Sequence, residues 1–170
     1  KKFKNTLSLE PLKGLLACDQ FGIGKIPTNE LITLAVKFIF LQEGKYLNDL
    51  TNKSFLITGG ATIEKIDSAR MITNNSSGAM SLLLAQVARF RGANVTYIHG
   101  PLKINAEMTE GIKCYEVENG SGLKKLIKKE IYNNDYFFMN AAVSDIKIKK
   151  EIIHKVPKSD LKDHLANNLE

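Results

Sequence analysis

Segment 55–78, FLITGGATIEKIDSARMITNNSSG, joins the clearest strand of the sequence to its clearest helix through a long connection. Such connections usually take about 2–6 residues in α/β proteins, and those longer than about 12–15 residues are usually functional or disordered. This one takes roughly twenty residues, well beyond that range. Its polar residues suit the binding of phosphate, carboxylate and hydroxyl groups: Thr62, Glu64, Asp67, Arg70 and the run 74–78. We therefore interpret the segment as an active-site loop.

Strands and helices alternate along the chain around this loop. Residues 55–58 form a short apolar run that ends at Gly59-Gly60, as a buried parallel strand does. Residues 94–99 and 113–117 are predicted to be the next strands, and 136–142 a further buried one. This alternation predicts an α/β fold with a Rossmann-like, doubly wound, mostly parallel sheet flanked by helices.

Apolar spacing and capping residues predict three helices. The first covers 28–42 with Thr28 as its cap, and it forms an N-terminal helical appendage to the sheet. The second stops near Gly92, and the third runs from a cap at Ser121 to about Tyr132. The apolar stripes of the second and third helices are, respectively, Met80, Leu83, Leu84 and Val87, and Leu123, Leu126, Ile127 and Ile131. The polar residues 43–53 are interpreted as a linker.

Cysteine and histidine positions predict neither a disulfide nor a metal site. Cys18 and Cys114 are expected to be free thiols, and Cys114 is expected to be a buried strand residue. His99, His154 and His164 show no metal-ligand spacing with either cysteine.

Charge and hydropathy limit the classes of partner that the chain is expected to have. The formal net charge of +6 favours acidic partners such as nucleotides, phosphorylated metabolites or nucleic acid. Nucleic acid is disfavoured because the sequence has no recognisable motif with interleaved aromatic residues. The longest apolar run, 31–41, is interrupted by Thr33 and Lys37 and is too short to span a bilayer. We expect a soluble, cytoplasmic protein with no membrane partner.

Two predicted strand ends carry polar residues, and ligands of open α/β sheets bind beyond such ends. One is Gly59-Gly60 with the long loop behind it, and the other is Asn140 with Ser144 and Asp145. Ser76-Ser77-Gly78 precedes the second helix, whose free N–H groups and dipole favour a phosphate. The alternative is that Ser76 or Ser77 merely caps this helix.

A dinucleotide-binding dehydrogenase is the obvious competing interpretation, and the residues disfavour it. GGATIE does not match G-x-G-x-x-G, and no helix follows it at once. The second strand ends in His99-Gly100-Pro101, where a carboxylate is expected to hold the ribose.

The lysines fall into two sets with different interpretations. Those on the polar side of the third helix are expected to be solvated: Lys124, Lys125, Lys128 and Lys129. A second set follows Asp145 directly: Lys147, Lys149, Lys150, Lys155 and Lys158. A flexible segment with five ammonium groups is able to close over a triphosphate. The alternative is a charged surface loop.

Four motifs occur in order within 55–158: TGGATIEKIDSARMITNNSSGAM, RGANVTYIHGP, NAAVSD and HKVPK. They resemble the phosphopantothenate-cysteine ligase domain of the bacterial bifunctional coenzyme A biosynthesis flavoprotein. Upstream, GLLACDQFGIGKIP resembles the tail of that family's phosphopantothenoylcysteine decarboxylase. The resemblance implies a decarboxylase remnant over 1–42, a linker over 43–53 and an incomplete ligase domain over 54–170.

The resemblance implies a two-step ligase in coenzyme A biosynthesis. CTP and the carboxylate of 4'-phosphopantothenate form an acyl-cytidylate with loss of pyrophosphate, and the cysteine amine then displaces CMP. Mg²⁺ is expected to bridge phosphate oxygens rather than to occupy a site made of protein ligands. FMN and the decarboxylase activity are expected only in a full-length parent, and a homodimer or larger homo-oligomer is expected.

The resemblance also implies roles for particular residues. Lys155 helps to form the cytidylate, Asn74 positions the acyl intermediate, and Arg70 supports the loop. Cys18 matches a proton donor that acts over the flavin of the decarboxylase. The nucleotide is expected to contact residues of both strand ends and of the lysine segment: Gly59, Gly60, Ser76, Ser77, Gly78, Ala141, Ala142, Asp145, Lys155 and Lys158.

Four positions depart from the family pattern. Ile63 stands where the family usually has Arg, Ala79 where it has Lys, and Ser81 where it often has Gly, while Pro157 interrupts the usual lysine run. Loss of cations weakens phosphate binding, so the departures leave open a non-catalytic dimerisation or scaffold fragment of the same flavoprotein.

Overall fold

The structure is a computed structural model that describes residues 6–43, 45, 47–150 and 152–170. Gly44 and Tyr46 of the expected linker, residues 1–5 of the expected decarboxylase remnant and Glu151 of the expected ligase domain lie outside the described residues. In chain order the helices and strands are β1 (Leu12–Leu15), β2 (Phe21–Lys25), α1 (Asn29–Gln42), β3 (Ser54–Gly59), β4 (Ile63–Asp67), β5 (Arg70–Thr73), α2 (Ala79–Phe90), β6 (Asn94–His99), β7 (Lys113–Glu116), α3 (Gly120–Glu130), β8 (Tyr136–Met139) and α4 (Leu161–Asn168). Short 3₁₀ turns cover Ala106–Thr109 and Ile131–Asn133.

A parallel sheet in the order β7-β6-β3-β8 forms the centre of the fold. Successive side chains of a strand point to opposite faces, so Leu56 and Ile57 of β3 enter different cores. The face of Ile57 packs against α1 and α2, and the face of Leu56 packs against α3. Helices therefore cover both faces, which confirms the α/β fold and the doubly wound, mostly parallel sheet.

The first and third helices match their predictions closely. Thr28 caps α1, with its hydroxyl accepting a hydrogen bond from the N–H of Leu31. The four apolar residues predicted for α3 line one core, and its lysines are exposed. The predicted cap of α3 is wrong, because the side chain of Asn119 rather than Ser121 accepts the N–H of Gly122.

The apolar stripe predicted for α2 is wrong in part, since Leu84 and Val87 pack against the core but Met80 and Leu83 do not. Met80 is 72% exposed and Leu83 is 40% exposed. The buried face carries Leu82 and the small residues Ala85 and Ala88, together with polar side chains whose hydrogen bonds are made internally. The amide nitrogen of Gln86, for example, donates to the carbonyls of Met108 and Glu110. A count of large apolar residues misses a face built from alanines and hydrogen-bonded polar groups.

Two antiparallel hairpins and one helix were not predicted. β1 pairs with β2 in the N-terminal part, and β4 pairs with β5 inside the segment that we interpreted as a loop. The apparent excess length of that segment is thus partly a hairpin. The third element that was not predicted is α4, which follows the lysine segment.

β8 was predicted to be buried, and the structure contradicts this. The side chains of Tyr136, Phe137, Phe138 and Met139 are 38–52% exposed. Among the residues that the structure describes, β8 pairs only with β3 and lies at the sheet edge. Composition alone does not distinguish a central apolar strand from an edge strand.

Three glycines allow close backbone contacts at the carboxyl end of the sheet. Gly60 and Gly78 have positive φ angles of 70° and 77°, which favour glycine. A Cβ atom added to Gly100 lies 1.8 Å from the carbonyl oxygen of Ala61. The loop after β3 and the loop after β6 therefore touch through their backbones.

We expect Gly100→Ala to destabilise the fold by about 1–3 kcal/mol, the usual cost of overpacking. The matched control is Gly120→Ala, because a Cβ there has its nearest neighbour at 3.5 Å, an ordinary contact. The free energies of unfolding of both variants are measured by denaturant titration. Equal stability of the two variants would contradict the contact between these loops.

Candidate active site

A buried threonine shapes the carboxyl end of β8. The hydroxyl oxygen of Thr58, on β3, accepts hydrogen bonds from the N–H groups of Asn140 and Ala141 at 3.1 and 3.2 Å. Thr58 is fully buried, so these N–H groups have an acceptor without water. The chain after β8 is thereby held against β3.

The same chain continues alongside the residues that follow β3. The N–H of Ala142 donates to the carbonyl of Gly60 at 2.8 Å, and the N–H of Thr62 donates to the carbonyl of Ala142 at 3.1 Å. The hydroxyl of Thr62 accepts the N–H of Ser144 at 2.9 Å. Segment 140–144 is thus tied to 58–62 by five hydrogen bonds.

Asn74 lies against this paired backbone. Its side-chain nitrogen donates to the carbonyl of Val143 at 2.9 Å, while its side chain stays exposed. The N-terminal end of α2, at Ala79, follows in the chain after Asn75, Ser76, Ser77 and Gly78. We call the resulting group the strand-end site, and its members are Gly59, Gly60, Asn74, Ser76, Ser77, Gly78, Ala141 and Ala142.

The N-terminus of α2 tests the two interpretations of the serines. Gly78 occupies the cap position and has no side chain to accept a hydrogen bond. The Ser76 hydroxyl accepts from the N–H of Gly78 at 3.4 Å, and the Ser77 hydroxyl accepts from the N–H of Ala79 at 3.3 Å. Both distances are long for hydrogen bonds. The serines therefore cap the helix only weakly, and its dipole favours an anion.

One cation beside this helix end was missed in the sequence. The ammonium group of Lys103 donates to the side-chain oxygen of Asn75 at 2.6 Å, and its backbone N–H donates to the carbonyl of Ser77 at 3.1 Å. Lys103 follows β6, the strand next to β3, so the strand-end rule pointed to it.

A second group lies at the tip of the β4–β5 hairpin. The carboxylate of Asp67 accepts hydrogen bonds from the N–H of Ala69 at 2.8 Å, and from an Arg70 nitrogen and the N–H of Val156, both at 3.1 Å. Lys155 precedes Val156 and is exposed. We call this group the hairpin-tip cluster, comprising Asp67, Arg70, Lys155 and Val156.

Asp67 stays ionised despite its burial. Burial raises the pKa of its carboxyl group, but the N–H groups of Ala69 and Val156 and the charge of Arg70 outweigh it and leave the pKa below its usual value. Asp67 was interpreted as a ligand-binding group of the loop, as was Thr62. Both are internal, at 2% and 1% exposed, and both hold other segments in place.

The two groups are separated along the hairpin. Arg70 and Asn74 are four residues apart, which corresponds to about 13 Å in an extended strand. The structure brings Arg70 together with the segment of Lys155, and Asn74 together with Val143. Asp145 and Lys158 are exposed.

Other predicted residues lie elsewhere in the fold. Cys18 is exposed in the turn between β1 and β2. Cys114 lies on β7, half-buried, and burial raises the pKa of its thiol to about 11. A cavity of about 640 Å³ lies at the amino ends of the strands. Its Lys113 and Glu130 side chains pair with each other at 3.2 Å, so we place the candidate site at the carboxyl ends.

The described part of the chain has neither a cluster of metal-ligating side chains nor a membrane-spanning helix. Within it, no group of three or more His, Cys, Asp or Glu side chains is placed to hold a metal ion. None of its helices is both long and apolar enough to cross a membrane.

Comparison with known proteins identifies the family. Residues 50–170 match the DNA/pantothenate metabolism flavoprotein C-terminal domain. The chain belongs to this family.

Curated relatives of this flavoprotein family carry the name coenzyme A biosynthesis bifunctional protein CoaBC. The protein from Borreliella burgdorferi is 36% identical over 164 residues, which are 95% of this chain and 40% of the relative. That from Vibrio vulnificus is 33% identical over 157 residues, which are 92% of this chain and 37% of the relative. The chain spans about two fifths of the length of these relatives.

A solved structure of this flavoprotein family supports the fold. The crystal structure of the C-terminal domain of coenzyme A biosynthesis bifunctional protein CoaBC is 36% identical, with a TM-score of 0.56. The match covers 63% of this chain and 53% of that chain.

The structure gives context to two of the positions at which the sequence departs from the family pattern. The hydroxyl of Ser81 lies 2.8 Å from both the carbonyl of Gly78 and the hydroxyl of Tyr97, so it is used inside the core. A Cβ on Gly59 would lie 1.9 Å from the Ser81 hydroxyl, so glycine is required there. Ile63 lies at the start of β4, and its N–H donates to the carbonyl of Glu118.

We expect Thr58→Val to destabilise the fold by about 1–3 kcal/mol, because it removes the buried hydroxyl that accepts the N–H groups of Asn140 and Ala141. Thr58→Ser is the control, since it keeps the hydroxyl and is expected to retain protection of those amides. Denaturant titration gives the stability, and hydrogen exchange of the Asn140 and Ala141 amides reports the local effect. Unchanged exchange in Thr58→Val would contradict the role of this hydroxyl.

Proposed function

We propose that this chain contributes the CTP-dependent ligation of 4'-phosphopantothenate to cysteine, a step of coenzyme A biosynthesis. The observation that carries the proposal is the contact of Asn74 with Val143 beside Gly60, at the carboxyl ends of two parallel strands. Membership of the flavoprotein family supports a role in coenzyme A biosynthesis. Because the relatives are longer than this chain, the reaction and its substrates remain part of the proposal.

The reaction requires a carboxylate to become an electrophile. A carboxylate oxygen of 4'-phosphopantothenate attacks the α-phosphorus of CTP, and the bond to pyrophosphate breaks. The cysteine amine then attacks the acyl carbon and CMP leaves with the electron pair of the broken bond. The triphosphate charge has to be neutralised for the first attack, so cations and backbone N–H groups are needed at the site.

The strand-end site is proposed to hold the nucleotide and the acyl group. Gly59 and Gly60 let phosphate approach the backbone, and the N-terminus of α2 with Ser76, Ser77 and Gly78 favours its charge. The backbone of Ala141 and Ala142, with Asp145 beyond them, is proposed to hold the rest of the nucleotide. Asn74 is proposed to position the acyl intermediate for the second step.

The hairpin-tip cluster is proposed to supply the cations of the first step. Asp67 contacts Arg70 and the N–H of Val156, the residue after Lys155, and Lys158 follows in the same segment. Lys103 adds a cation at the strand-end site.

Mg²⁺ is proposed to bind at this chain, whereas FMN is proposed to bind elsewhere in a longer parent. Asp145 is a single exposed carboxylate, which fits a Mg²⁺ ion that keeps most of its ligands from phosphate and water. Bound Mg²⁺ would neutralise phosphate charge. FMN and decarboxylation are proposed to belong to the remainder of a longer parent, where Cys18 would act.

A dimerisation or scaffold role is the second candidate, and exposed apolar residues favour it. Phe40 and Leu41 on α1 are 78% and 80% exposed. A homodimer that buries them fits either candidate. Sedimentation of the chain over a range of concentrations tests this role.

We expect CTP with Mg²⁺ to raise the melting temperature of the chain, because a ligand of the native state stabilises it. We also expect release of pyrophosphate when 4'-phosphopantothenate is added. Replacement of CTP by CMP is the control, since CMP has no pyrophosphate to lose. The ligase would be rejected in favour of the scaffold if CTP neither raised the melting temperature nor led to pyrophosphate release. This result would have to hold both for the chain and for a longer polypeptide that contains it.

The two groups of residues are expected to serve different steps. Lys155→Gln should lower pyrophosphate release roughly a hundredfold, as loss of one donor to a developing charge does. Asn74→Asp should leave that step intact and block formation of 4'-phosphopantothenoylcysteine. Lys124→Gln, on the solvated face of α3, is the charge-matched control. Equal losses at both steps in Lys155→Gln and Asn74→Asp would refute this division.

A further inference from the structure

Asp67 connects two segments that lie far apart in the sequence. Its side chain is fully buried, while the Arg70 side chain that it contacts is 22% exposed. One carboxylate oxygen accepts from the N–H of Ala69, which shapes the hairpin turn. The other accepts from Arg70 and from the N–H of Val156, 89 residues further along the chain. A single side chain therefore joins the hairpin to the lysine segment.

The hydrogen bond to Val156 acts directly on Lys155. The N–H of Val156 belongs to the peptide group that begins at the carbonyl of Lys155, and peptide groups are planar. Holding this N–H therefore fixes the direction in which the chain leaves Lys155. The side chain of Val156 is buried at 7% exposure and anchors the same point, while Lys155 itself is exposed.

The beginning of the segment, at Lys147 and Lys149, is held by a second set of contacts. The N–H of Lys147 donates to the carbonyl of Glu170, and that of Glu170 donates back to the carbonyl of Lys147, both at 2.9 Å. The N–H of Lys149 donates to the carbonyl of Asn168 at 2.9 Å. Asp67 holds this segment near its end, and these backbone pairs hold its beginning.

We propose that Asp67 is a positioning residue, which places the Lys155 ammonium group beside the Arg70 guanidinium group so that both face one anionic substrate. The proposal rests on the proposed function, because it assigns the triphosphate of CTP to these two cations. The burial of Asp67 separates it from substrate, so it acts through Lys155 and Arg70. Its ionised state at neutral pH strengthens both contacts.

A carboxylate suits this role better than an amide of the same size. Asp67 accepts at both oxygens, whereas an asparagine has one acceptor oxygen and one donor nitrogen. In Asp67→Asn, the new side-chain NH₂ group therefore faces at least one of the N–H groups that now donate to the carboxylate. The substitution keeps the volume, so it tests the contacts and not the packing.

The test combines hydrogen exchange with the rates of the two reaction steps. In Asp67→Asn we expect amide exchange in 152–158 to accelerate roughly tenfold, as loss of a hydrogen bond to a charged group predicts. Exchange in α2 is expected to stay unchanged. Pyrophosphate release should fall about tenfold through kcat, while the product formed per pyrophosphate released stays constant, because Asn74 lies in the other group.

Asp135→Asn is the matched control. Asp135 accepts a backbone N–H and a hydroxyl from Ser54, so the same substitution removes the same kind of acceptor at the other end of the sheet. It is expected to change neither exchange in 152–158 nor the two rates. A second variant, with an ester replacing the Val156 amide, deletes only the donor to Asp67 and should reproduce the effects of Asp67→Asn.

The outcomes separate this inference from the proposed function. If the unaltered chain releases pyrophosphate but a folded Asp67→Asn variant keeps slow exchange and normal kcat, Asp67 does not position Lys155. If the ester variant is normal and only Asp67→Asn is impaired, the contact with Val156 is not the route. If no CTP-dependent pyrophosphate appears in the unaltered protein, the proposed function fails, and the catalytic part of the inference fails with it.

Discussion

The hydrogen bonds from segment 140–144 to the two threonines Thr58 and Thr62 are the constraint on which the candidate site depends. Where a strand leaves a sheet, its backbone N–H groups lose their partners, and burying them unpaired is costly. Here the hydroxyls of two buried threonines accept three of these N–H groups. The chain after β8 can therefore continue next to Gly60 with these N–H groups paired, and the carbonyl of Val143 accepts the side-chain N–H of Asn74.

Much of the fold follows from local patterns, and its exceptions have physical causes. β3 was predictable because an apolar run ends in two glycines, and α1 because Thr28 caps a long apolar segment. The buried face of α2 was predictable only in part, because alanines and a hydrogen-bonded glutamine occupy much of it. The β4–β5 hairpin was missed because its turn, Ser68-Ala69, lacks the glycine or asparagine that marks tight hairpins.

The sequence placed the backbone features of the candidate site near one another, but it did not reveal how the buried polar side chains are used. Glycines and serines that follow a strand lie at the end of the sheet whatever their role, and the structure brings Gly60, Gly78 and Asn74 to the same end. Asp67 and Thr62 have the composition of ligand-binding residues, yet both are buried and bind the protein's own backbone. Sequence composition does not reveal which donors a polar side chain meets, since Val156 lies 89 residues from Asp67.

The hairpin sets the spacing between the two groups of polar residues. β4 is tied at its start to the chain before α3, through the N–H of Ile63 and the carboxylate of Glu64, which accepts the N–H of Gly120 at 3.1 Å. At its far end, Asp67 is tied to Val156. A two-stranded hairpin is marginally stable alone, so these attachments at both ends determine its direction. Asn74 and Arg70 are therefore held at opposite ends of β5, and a ligand that contacts both has to be extended along the hairpin.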